Sequence, residues 1–464
     1  MKILSIVRYL LAGAFAVLGA ACAWAAATSR PNIVYFLVDD LGWADVGYHG
    51  SDIRTPSIDR LAASGVKLES FYAQPVCSPT RAALMTGRYP IRYGLQTGVI
   101  RPWASYGLSL KERTLADILR ASGYRTMLLG KWHLGHFSRE YLPLQRGFEY
   151  HYGHYNGAID YFTHQREGGL DWHRNGKAVV EEGYTTELIA REAVGLVAKH
   201  DRSRPLFLCV TFNAPHGPFE VPEKYAAPYG HRKGNARLYA GMVAAVDEAI
   251  GRIMAAFNKR GMMEDTIFVF SSDNGGPSPG KITSNDPWRG AKGTLYEGGV
   301  RVAACASWKG HIPAGTLVNE PLHMVDWLPT FSRLAGASLE GISPLDGLDA
   351  WQTLAEGKPS PHDNILLNVE PAHNKSPGRG AVRSGRWKLM FQGDPRSSSE
   401  GAQLFDLTND PGEMSDVAAR HPEVAAKLFR SLRDYANAAV KPLMAGDRMP
   451  NDFHVPKVWG EFPP

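Results

Sequence analysis

Residues 32–40 read NIVYFLVDD, a short apolar run that ends in two aspartates, Asp39 and Asp40. The run is rich in branched and aromatic residues, which predicts a strand buried on both faces of a sheet. Three later apolar runs also end in polar side chains. They are YRTMLLG (124–130) before Lys131 and His133, PLFLCVTF (205–212) before NAPH and its His216, and DTIFVFSS (265–272) before Asp273 and Asn274. The pattern predicts strands that each carry polar side chains at the carboxyl end.

Helical patterns separate these runs. The amphipathic segments are TPSIDRLAASG (55–65), LKERTLADILRASG (110–123), TTELIAREAVGLVAKH (185–200) and NARLYAGMVAAVDEAIGRIMAAFNKRG (235–261). Strands that alternate with helices predict a mostly parallel, doubly wound α/β sheet. Ligands bind beyond the carboxyl ends of the strands in such sheets, so we expect the polar clusters to converge on one site.

The pattern changes after about residue 340. GRWKLMFQ (385–392) and AQLFDLTNDPGE (402–413) predict hairpin strands, and HPEVAAKLFRSLRDYANAA (421–439) predicts a helix. We therefore expect a large α/β domain over residues 28–340 and a smaller α+β domain over residues 341–464. The Pro-rich end of the chain is expected to be irregular.

The first 27 residues are typical of a cleaved signal peptide. Lys2 and Arg8 begin this segment, and an apolar run (9–25) leads to small residues suited to cleavage. The run is short for a bilayer-spanning helix, so we expect an exported protein, periplasmic or secreted, without a stable membrane span. Cleavage would leave three cysteines, which is not a disulfide framework.

The composition is that of an ordinary globular protein. The 464 residues are 44% hydrophobic and 21% charged, with a formal net charge of +5. This charge is mild for the length, and no basic stripe with interleaved aromatic residues is evident. Nucleic acid is therefore a poor candidate partner.

The aspartates and the asparagine at the strand ends supply only oxygen ligands. Asp39, Asp40, Asp273 and Asn274 suit a hard cation such as Ca²⁺ or Mg²⁺ better than zinc, which usually recruits histidine or cysteine. Either pair alone would be interpreted as turn or capping residues. Because both pairs follow strands, beside a lysine and histidines, the sequence favours a metal site.

The stretch PVCSPTRAALMTG (75–87) places Cys77 just ahead of a predicted helix. Ser78 is expected to cap this helix and Pro79 to occupy its first turn. The helix dipole, with Arg81 about one turn along, favours negative charge at Cys77. These residues alone leave four interpretations open: a redox thiol, a nucleophile, a metal ligand, or a residue that is converted to something else.

A set of cationic and titratable side chains complements the carboxylates. Cations beside a metal can bind a tetrahedral oxyanion, and histidines can transfer protons at neutral pH. The set consists of Arg81, Lys131, His133, His216 and Lys292. Further histidines and tyrosines lie in residues 150–164, where any single one is more often structural than catalytic.

Two long motifs resemble the type I sulfatase family. CSPTRAALMTGR (77–88) is similar to the signature in which a Cys-x-Pro-x-Arg cysteine is oxidised to formylglycine, and GYRTMLLGKWHLG (123–135) resembles the second signature. VDDLGWADVG, APHGP, SSDNGG and RGAKGTLYEGGVR accompany them in the family's order. The resemblance implies an alkaline-phosphatase-like sheet sandwiched by helices, with a smaller C-terminal α+β domain. It also implies a formylglycine-generating maturation enzyme as partner.

The resemblance further implies a metal site and a nucleophile. Cys77, as formylglycine, would be hydrated, and one hydroxyl of its gem-diol would attack sulfur while Arg81 positions and stabilises the diol. The same modified residue would complete the shell of one Ca²⁺, with Mg²⁺ as the alternative. The other protein ligands would be Asp39, Asp40, Asp273 and Asn274.

The remaining polar residues would bind the sulfate and transfer protons, again by resemblance. Lys131, His216 and Lys292 would bind the sulfate, with His216 or Lys292 also protonating the leaving alcohol. His133 would take a proton from the second hydroxyl of the diol, which expels sulfate and regenerates the aldehyde. A gem-diol can release sulfate in this way by re-forming a carbonyl, whereas a serine sulfate ester would need a further attack by water.

Within the family, GRYPIRYGLQTGVI and LPLQRGFEYHYGHYNGAIDYFTH most resemble the N-acetylgalactosamine 4-sulfatases of the arylsulfatase B type. This resemblance implies a sulfated sugar of the glycosaminoglycan type as substrate, with His154, Tyr161 and His164 in the substrate cleft. The alternatives are an arylsulfatase acting on phenolic sulfates and a phosphoester or phosphonate hydrolase of the same superfamily. A sugar-binding protein on a catalytically dead scaffold is the non-enzymatic alternative, which the intact candidate set disfavours.

Overall fold

The computed structural model describes residues 30–373, 377–444, 446 and 448–462. The predicted signal peptide (1–27) lies outside these residues and stays a prediction. Among the helices of the described part, none combines the length and the apolar character that crossing a bilayer requires.

The described residues form eighteen strands and ten α-helices. The strands are β1 (Asn32–Val38), β2 (Val66–Leu68), β3 (Phe71–Tyr72), β4 (Arg125–Lys131), β5 (Tyr150–His154), β6 (Gln165–Arg166), β7 (Gly169–Leu170), β8 (His173–Arg174), β9 (Lys177–Ala178), β10 (Leu206–Thr211), β11 (Thr266–Ser272), β12 (Ala304–Ser307), β13 (Thr316–Val318), β14 (Leu322–His323), β15 (Ile365–Glu370), β16 (Arg379–Ser384), β17 (Trp387–Gln392) and β18 (Gln403–Asp406). The α-helices are α1 (Pro56–Ala63), α2 (Cys77–Thr86), α3 (Leu115–Ala121), α4 (Thr185–Ala198), α5 (Glu223–Ala226), α6 (Gly234–Lys259), α7 (Glu297–Val300), α8 (Trp327–Ala335), α9 (Trp351–Glu356) and α10 (Pro422–Asn437).

Ten strands form the central sheet, in the order β13-β2-β12-β11-β1-β10-β4-β5-β8-β9. The neighbours from β11 to β5 all pair in parallel, which confirms the prediction of a mostly parallel sheet. Both flanks depart from it, because β12 and β8 pair antiparallel with their neighbours. The carboxyl ends of the central strands therefore meet at one edge.

The central strands are buried on both faces. On β1, Ile33 and Tyr35 belong to the core on one side of the sheet, whereas Val34 and Phe36 belong to the core on the other. Helices cover both sides, and all these side chains are fully buried. Close packing on both faces fixes the strand ends, and with them the polar residues that follow.

A smaller antiparallel sheet follows along the chain, in the order β15-β16-β17-β18, and α10 packs against it. The predicted hairpin β17–β18 and the predicted helix are present, while β15 and β16 were not predicted. Helix α9 packs on the core of the large domain, with the Trp351 ring 5.6 Å from the Trp308 ring. Residues 341–356 thus contribute to the core of the large domain, and the strands of the small sheet begin at Ile365; the domain boundary at residue 341 stays a prediction.

The Pro-rich C-terminal segment packs back onto the large domain. Trp459 is buried, and its indole N–H donates to the Arg166 carbonyl at 2.8 Å. Its backbone N–H donates to the Leu170 carbonyl at 2.9 Å. The segment thus has specific contacts although it forms no α-helix or named strand in its described residues.

A buried lysine joins the small sheet to the large domain. Lys388 Nζ on β17 lies 2.9 Å from Glu297 Oε1 and 2.8 Å from Glu413 Oε1, and all three side chains are fully buried. Glu297 begins α7, a few residues after the loop that carries Lys292. The cluster therefore ties this loop to the small domain.

Replacing Lys388 with alanine should destabilise the fold strongly. The variant leaves two buried carboxylates without their shared cation, and breaking a buried ion pair on one side typically costs about 3–5 kcal/mol. Denaturant unfolding at equilibrium measures this free energy. Lys358→Ala, which removes the exposed ion pair to Glu356, should cost less than about 1 kcal/mol. Equal losses in the two variants would contradict a structural role for Lys388.

Candidate active site

The polar residues that follow the central strands meet at one edge of the sheet. Asp39 and Asp40 follow β1, and Asp273 follows β11; all three are buried. Lys131 ends β4 and is also buried, whereas His216 follows β10 and its side chain is 25% exposed. The convergence expected from the strand pattern is observed.

Asp39 is paired with two buried cations. Lys131 Nζ contacts its Oδ2, and Arg81 Nη2 lies 3.4 Å from the same oxygen. Burial opposes ionisation of this carboxyl, but Lys131 and, more weakly, His216 and Arg81 outweigh it and hold the pKa of Asp39 well below its ordinary value. Asp39 is therefore a carboxylate, available as an oxygen ligand.

Asp40 points to the open side of the site. Its Oδ1 lies 2.7 Å from Lys292 Nζ and accepts a hydrogen bond of 2.8 Å from Asn274 Nδ2. His216 Nε2 lies 3.6 Å from its Oδ2. Asp40 has a φ of +65°, a left-handed conformation that aspartate tolerates better than most residues. The segments after β10 and β11 and the loop that carries Lys292 therefore supply the groups around this carboxylate.

Asp273 completes the acidic group. Its Oδ2 lies 3.1 Å from Arg81 Nη2, and its Oδ1 accepts from the Asp40 backbone N–H at 3.2 Å. Burial, and then repulsion from Asp39, raise the pKa of Asp273 to about 7. Crowding of carboxylates in a buried site is relieved by a bound cation, because the cation favours their ionised forms.

Cys77 is the first residue of helix α2, with Val76 at the N-cap position. The predicted cap is therefore wrong by two residues: Ser78 lies in the first turn, and its hydroxyl accepts from the Ile100 backbone N–H at 3.1 Å. Cys77 Sγ lies 3.4 Å from Asp39 Oδ1. Burial, and then the Asp39 charge, raise the pKa of the Cys77 thiol to about 12.

An unmodified Cys77 is thus poorly suited to the chemistry that thiols perform. The thiolate is the reactive and metal-binding form, and at neutral pH a pKa of about 12 leaves the group protonated. None of the three described cysteines forms a disulfide. These observations disfavour a redox thiol or a thiolate ligand; burial raises the pKa of the Cys209 thiol to about 12 as well, so the shift does not by itself mark Cys77 for conversion.

The donor set fits a hard cation. Ligand atoms of Asp39, Asp40, Cys77 and His216 lie within 4.8 Å of one another. The Asn274 carbonyl oxygen Oδ1 is buried and has no hydrogen-bond partner among the residues that the structure describes, so it is free to bind an ion. Cys77 and His216 offer sulfur and nitrogen, whereas Asp39, Asp40 and Asn274 offer the carboxylate and amide oxygens that Ca²⁺ and Mg²⁺ prefer. The prediction of a metal site at the strand ends agrees with this geometry.

His133 lies beside this group, on the segment after β4. Its Nε2 lies 3.0 Å from the Ile100 carbonyl, and Nδ1 has no partner within the described part of the chain. Burial, and then the neighbouring Lys131 and Arg81 charges, hold the pKa of His133 well below its ordinary value. A neutral imidazole that donates through Nε2 carries its lone pair on Nδ1, where it can accept a proton.

Gly157 packs directly against the His133 ring, and a Cβ at this position would overlap the imidazole. Replacing Gly157 with alanine should therefore displace His133 and lower kcat by about 10- to 100-fold, since displacements near 1 Å cost this much in catalytic sites. Steady-state kinetics on a sulfate ester, the substrate class that the sequence resemblance implies, measures the loss. Gly195→Ala, at a helix position where a Cβ meets nothing, is the control. Full activity of the Gly157 variant would contradict the placement of His133 in the reaction.

The three residues predicted to line the substrate cleft have packing roles instead. Tyr161 and His164 are each 1% exposed, and His154 is fully buried. The His164 ring stacks on Trp172 at 4.9 Å, and its Nε2 bonds the Gly183 carbonyl. The prediction that these rings contact a sugar is corrected, because none presents a surface to solvent. The Tyr161 hydroxyl is directed to the turn that ends at His216.

One further residue of the site was missed in the sequence. Asp171 accepts hydrogen bonds from the backbone N–H groups of Tyr155 at 2.9 Å and Asn156 at 2.8 Å, and so fixes the segment that leads to Gly157. The His133 N–H in turn donates to the Tyr155 carbonyl at 3.0 Å. No local motif marks Asp171, since its contacts lie 15 and 16 residues away along the chain.

Known proteins are similar to this chain in sequence and in fold over most of its length. A family model described as Sulfatase matches residues 31–337. Arylsulfatase J of Mus musculus is 36% identical over 467 residues, which cover 89% of this chain and 77% of that protein. N-acetylgalactosamine-6-sulfatase of Homo sapiens is 33% identical, over 89% of this chain and 87% of that protein. The crystal structure of Ps i-CgsB in complex with k-i-k-neocarrahexaose has a TM-score of 0.83 and 34% identity, over 89% of this chain and 94% of that chain.

Proposed function

The chain belongs to the sulfatase family and is a sulfuric ester hydrolase, and from this premise we propose that it acts through a formylglycine formed from Cys77. The observation that carries the proposal is the position of this side chain. Cys77 lies at the start of a helix, 3.4 Å from Asp39, in a site where its own thiol is held protonated. A hydrated aldehyde at this position supplies the nucleophilic hydroxyl that the thiol does not.

The charges of the site suit a sulfate ester. The carboxylates of Asp39, Asp40 and Asp273 are matched by three cations, which are Arg81, Lys131 and Lys292. With all three carboxylates ionised, the protein groups alone sum to about zero. A Ca²⁺ held by the three aspartates and Asn274, with Mg²⁺ as the alternative, would leave the site positive and would stabilise charge on the sulfuryl oxygens.

Two side chains face the open part of the site. The His216 side chain is 25% exposed and that of Lys292 is 19% exposed, whereas Lys131 is fully buried behind Asp39. We assign His216 and Lys292 to the sulfate and its leaving oxygen, because an entering ester meets them first. Lys131 and Arg81 instead contact the Asp39 carboxylate at the buried end of the site. His133, with Nδ1 free of described partners, is placed to accept a proton during the reaction.

The substrate we propose is a sulfated carbohydrate. The names of relatives include an N-acetylgalactosamine-6-sulfatase, and the similar solved structure holds k-i-k-neocarrahexaose. Relatives named arylsulfatase support a phenolic sulfate as the second candidate. The position of the sulfate on the sugar, including the 4-position of N-acetylgalactosamine, stays a prediction.

A substrate panel tests this proposal. Protein produced with formylglycine-generating activity is assayed for release of sulfate from N-acetylgalactosamine 4-sulfate, the 6-sulfate, a sulfated chondroitin oligosaccharide and a phenyl sulfate, and for release of phosphate from a phenyl phosphate. We expect at least one sulfated sugar to be hydrolysed with the highest kcat/KM. Hydrolysis of phenyl sulfate alone would overturn the sugar assignment. Preference for the phosphate would support a phosphoester hydrolase, and no turnover would support a binding protein.

Chelation should remove most of the activity. We expect a strong chelator to lower kcat by at least about 100-fold, and one equivalent of Ca²⁺ to restore it, because a metal ion contributes several kcal/mol of charge stabilisation. Metal analysis of dialysed protein measures the occupancy. Asp273→Ala should retain less metal than the wild type, whereas Asp265→Ala, at an exposed aspartate, should retain the same amount. Full activity after verified removal of metal would contradict the assignment.

We also propose that the chain is exported to the periplasm or secreted, and that a maturation enzyme converts Cys77 before or during export. The charged start and apolar run of residues 1–27 support export. Cys77 is buried in the folded protein, which supports conversion of the unfolded chain. N-terminal sequencing of the mature protein tests where residues 1–27 are removed.

A further inference from the structure

Tyr161 lies against the turn that carries His216. The His216 backbone N–H donates to the Asn213 carbonyl at 3.0 Å, which closes the turn. The Tyr161 hydroxyl lies 2.8 Å from the Asn213 carbonyl and 2.7 Å from the His216 carbonyl. One phenol therefore contacts the carbonyls at both ends of this turn.

Tyr161 is itself fixed on three sides. Its backbone N–H donates to Glu220 Oε2 at 2.9 Å, and its carbonyl accepts from the Thr185 N–H at 3.0 Å. Its ring stacks on Tyr184 with the centroids 5.4 Å apart, and the side chain is 1% exposed. Because it is held by main-chain bonds and by packing, the hydroxyl is a fixed anchor for the turn.

The turn determines where the His216 imidazole points. His216 Nδ1 lies 2.5 Å from the Gly217 carbonyl, so Nδ1 carries the proton and donates it. Nε2 then faces the site, 3.6 Å from Asp40 Oδ2. Rotation of the turn would move both nitrogens, since the ring is bonded to the backbone of the next residue.

We propose that Tyr161 is a positioning residue for His216. Its hydroxyl holds the turn so that Nε2 is presented to the substrate, and its effect on the reaction passes through His216 alone. The inference rests on the proposed function, in which His216 contacts the sulfate ester. It replaces the sequence-based expectation that Tyr161 contacts a sugar, because the ring is buried and the hydroxyl is directed to the turn.

A double-mutant cycle tests this role. We expect Tyr161→Phe to lower kcat/KM on the best substrate of the panel by about 10- to 100-fold, as a displaced catalytic group does. In a His216→Ala background the same substitution should change kcat/KM by less than about twofold, because coupled residues are not additive. Tyr184→Phe is the matched control, since the Tyr184 hydroxyl forms no hydrogen bond to the turn.

A second variant keeps the test valid if Tyr161→Phe folds poorly. Glu220→Ala removes the acceptor of the Tyr161 backbone N–H at a partly exposed position. We expect a loss of about threefold to tenfold, again absent in the His216→Ala background. Thermal unfolding curves of all variants give their midpoints, and the assays are run well below the lowest midpoint, where every variant is folded.

Equal factors in both backgrounds would overturn the role of Tyr161, and so would an unchanged kcat/KM in Tyr161→Phe. Failure of the proposed function gives a different result. A wild-type protein that releases no sulfate from any ester of the panel refutes the proposed function itself. An active wild type with additive variants refutes only the inference about Tyr161.

Discussion

Replacing Cys77 with alanine should abolish sulfate release, lowering kcat by at least about four orders of magnitude. Loss of the nucleophile from a covalent mechanism has an effect of this size in other hydrolases. The site keeps its carboxylates and cations in this variant, so the structure predicts that sulfate still binds. Sulfate release and the affinity for inorganic sulfate are therefore measured together.

Two control variants distinguish the loss of the nucleophile from a general loss of folded protein. Cys305→Ala removes another buried cysteine, on β12, and should retain activity within about threefold. Cys77→Ser keeps a hydroxyl but forms no aldehyde in a host whose maturation enzyme acts only on cysteine, and should stay nearly inactive. Activity of Cys77→Ala above about 1% of the wild type would contradict the proposed mechanism, since no other described side chain is assigned to the attack.

Replacing Lys131 with methionine should lower kcat/KM by about 100- to 1000-fold, the range found when one preorganised charge-stabilising group is removed. Burial raises the pKa of Asp39, and Lys131 is the largest of the influences that lower it. Without this cation Asp39 would bind a proton more readily and would become a weaker metal ligand. Metal affinity should fall together with kcat/KM.

The pH dependence distinguishes this explanation from a simple loss of sulfate binding. If protonation of Asp39 is the cause, Lys131→Met should recover part of its metal affinity as the pH rises, because the carboxyl ionises above its raised pKa. Lys177→Met, at an exposed lysine on β9, should leave both quantities unchanged. Metal affinity equal to that of the wild type in Lys131→Met would contradict the pairing of Lys131 with Asp39.

The parallel part of the fold was predictable because its signals are local. The four apolar runs that define β1, β4, β10 and β11 each carry polar residues at the carboxyl end, and parallel pairing brings those ends together. Asp39, Lys131 and Asp273 therefore meet as the sequence predicts. The antiparallel flank formed by β8 and β9 was not predictable, since these strands are two residues long and carry no periodic pattern.

The residues whose roles were missed contact residues that lie far away along the chain. Tyr161 bonds carbonyls 52 and 55 residues away, and Lys388 pairs with Glu297 across 91 residues. Nothing in the sequence around Tyr161 separates a ring that packs from a ring that binds sugar. Its burial decides the question, and burial depends on how α4 and the His216 turn pack around it.

The mass of the peptide spanning residues 68–81 tests the central claim most directly. Trypsin releases this peptide with Cys77 inside it, because it lies between Lys67 and Arg81. The sample is protein whose sulfate release has already been measured, from a host with formylglycine-generating activity. We predict the mass of the aldehyde or its hydrate at position 77, in a fraction that scales with the activity of each preparation. A fully active preparation in which residue 77 is an unmodified cysteine would contradict the account.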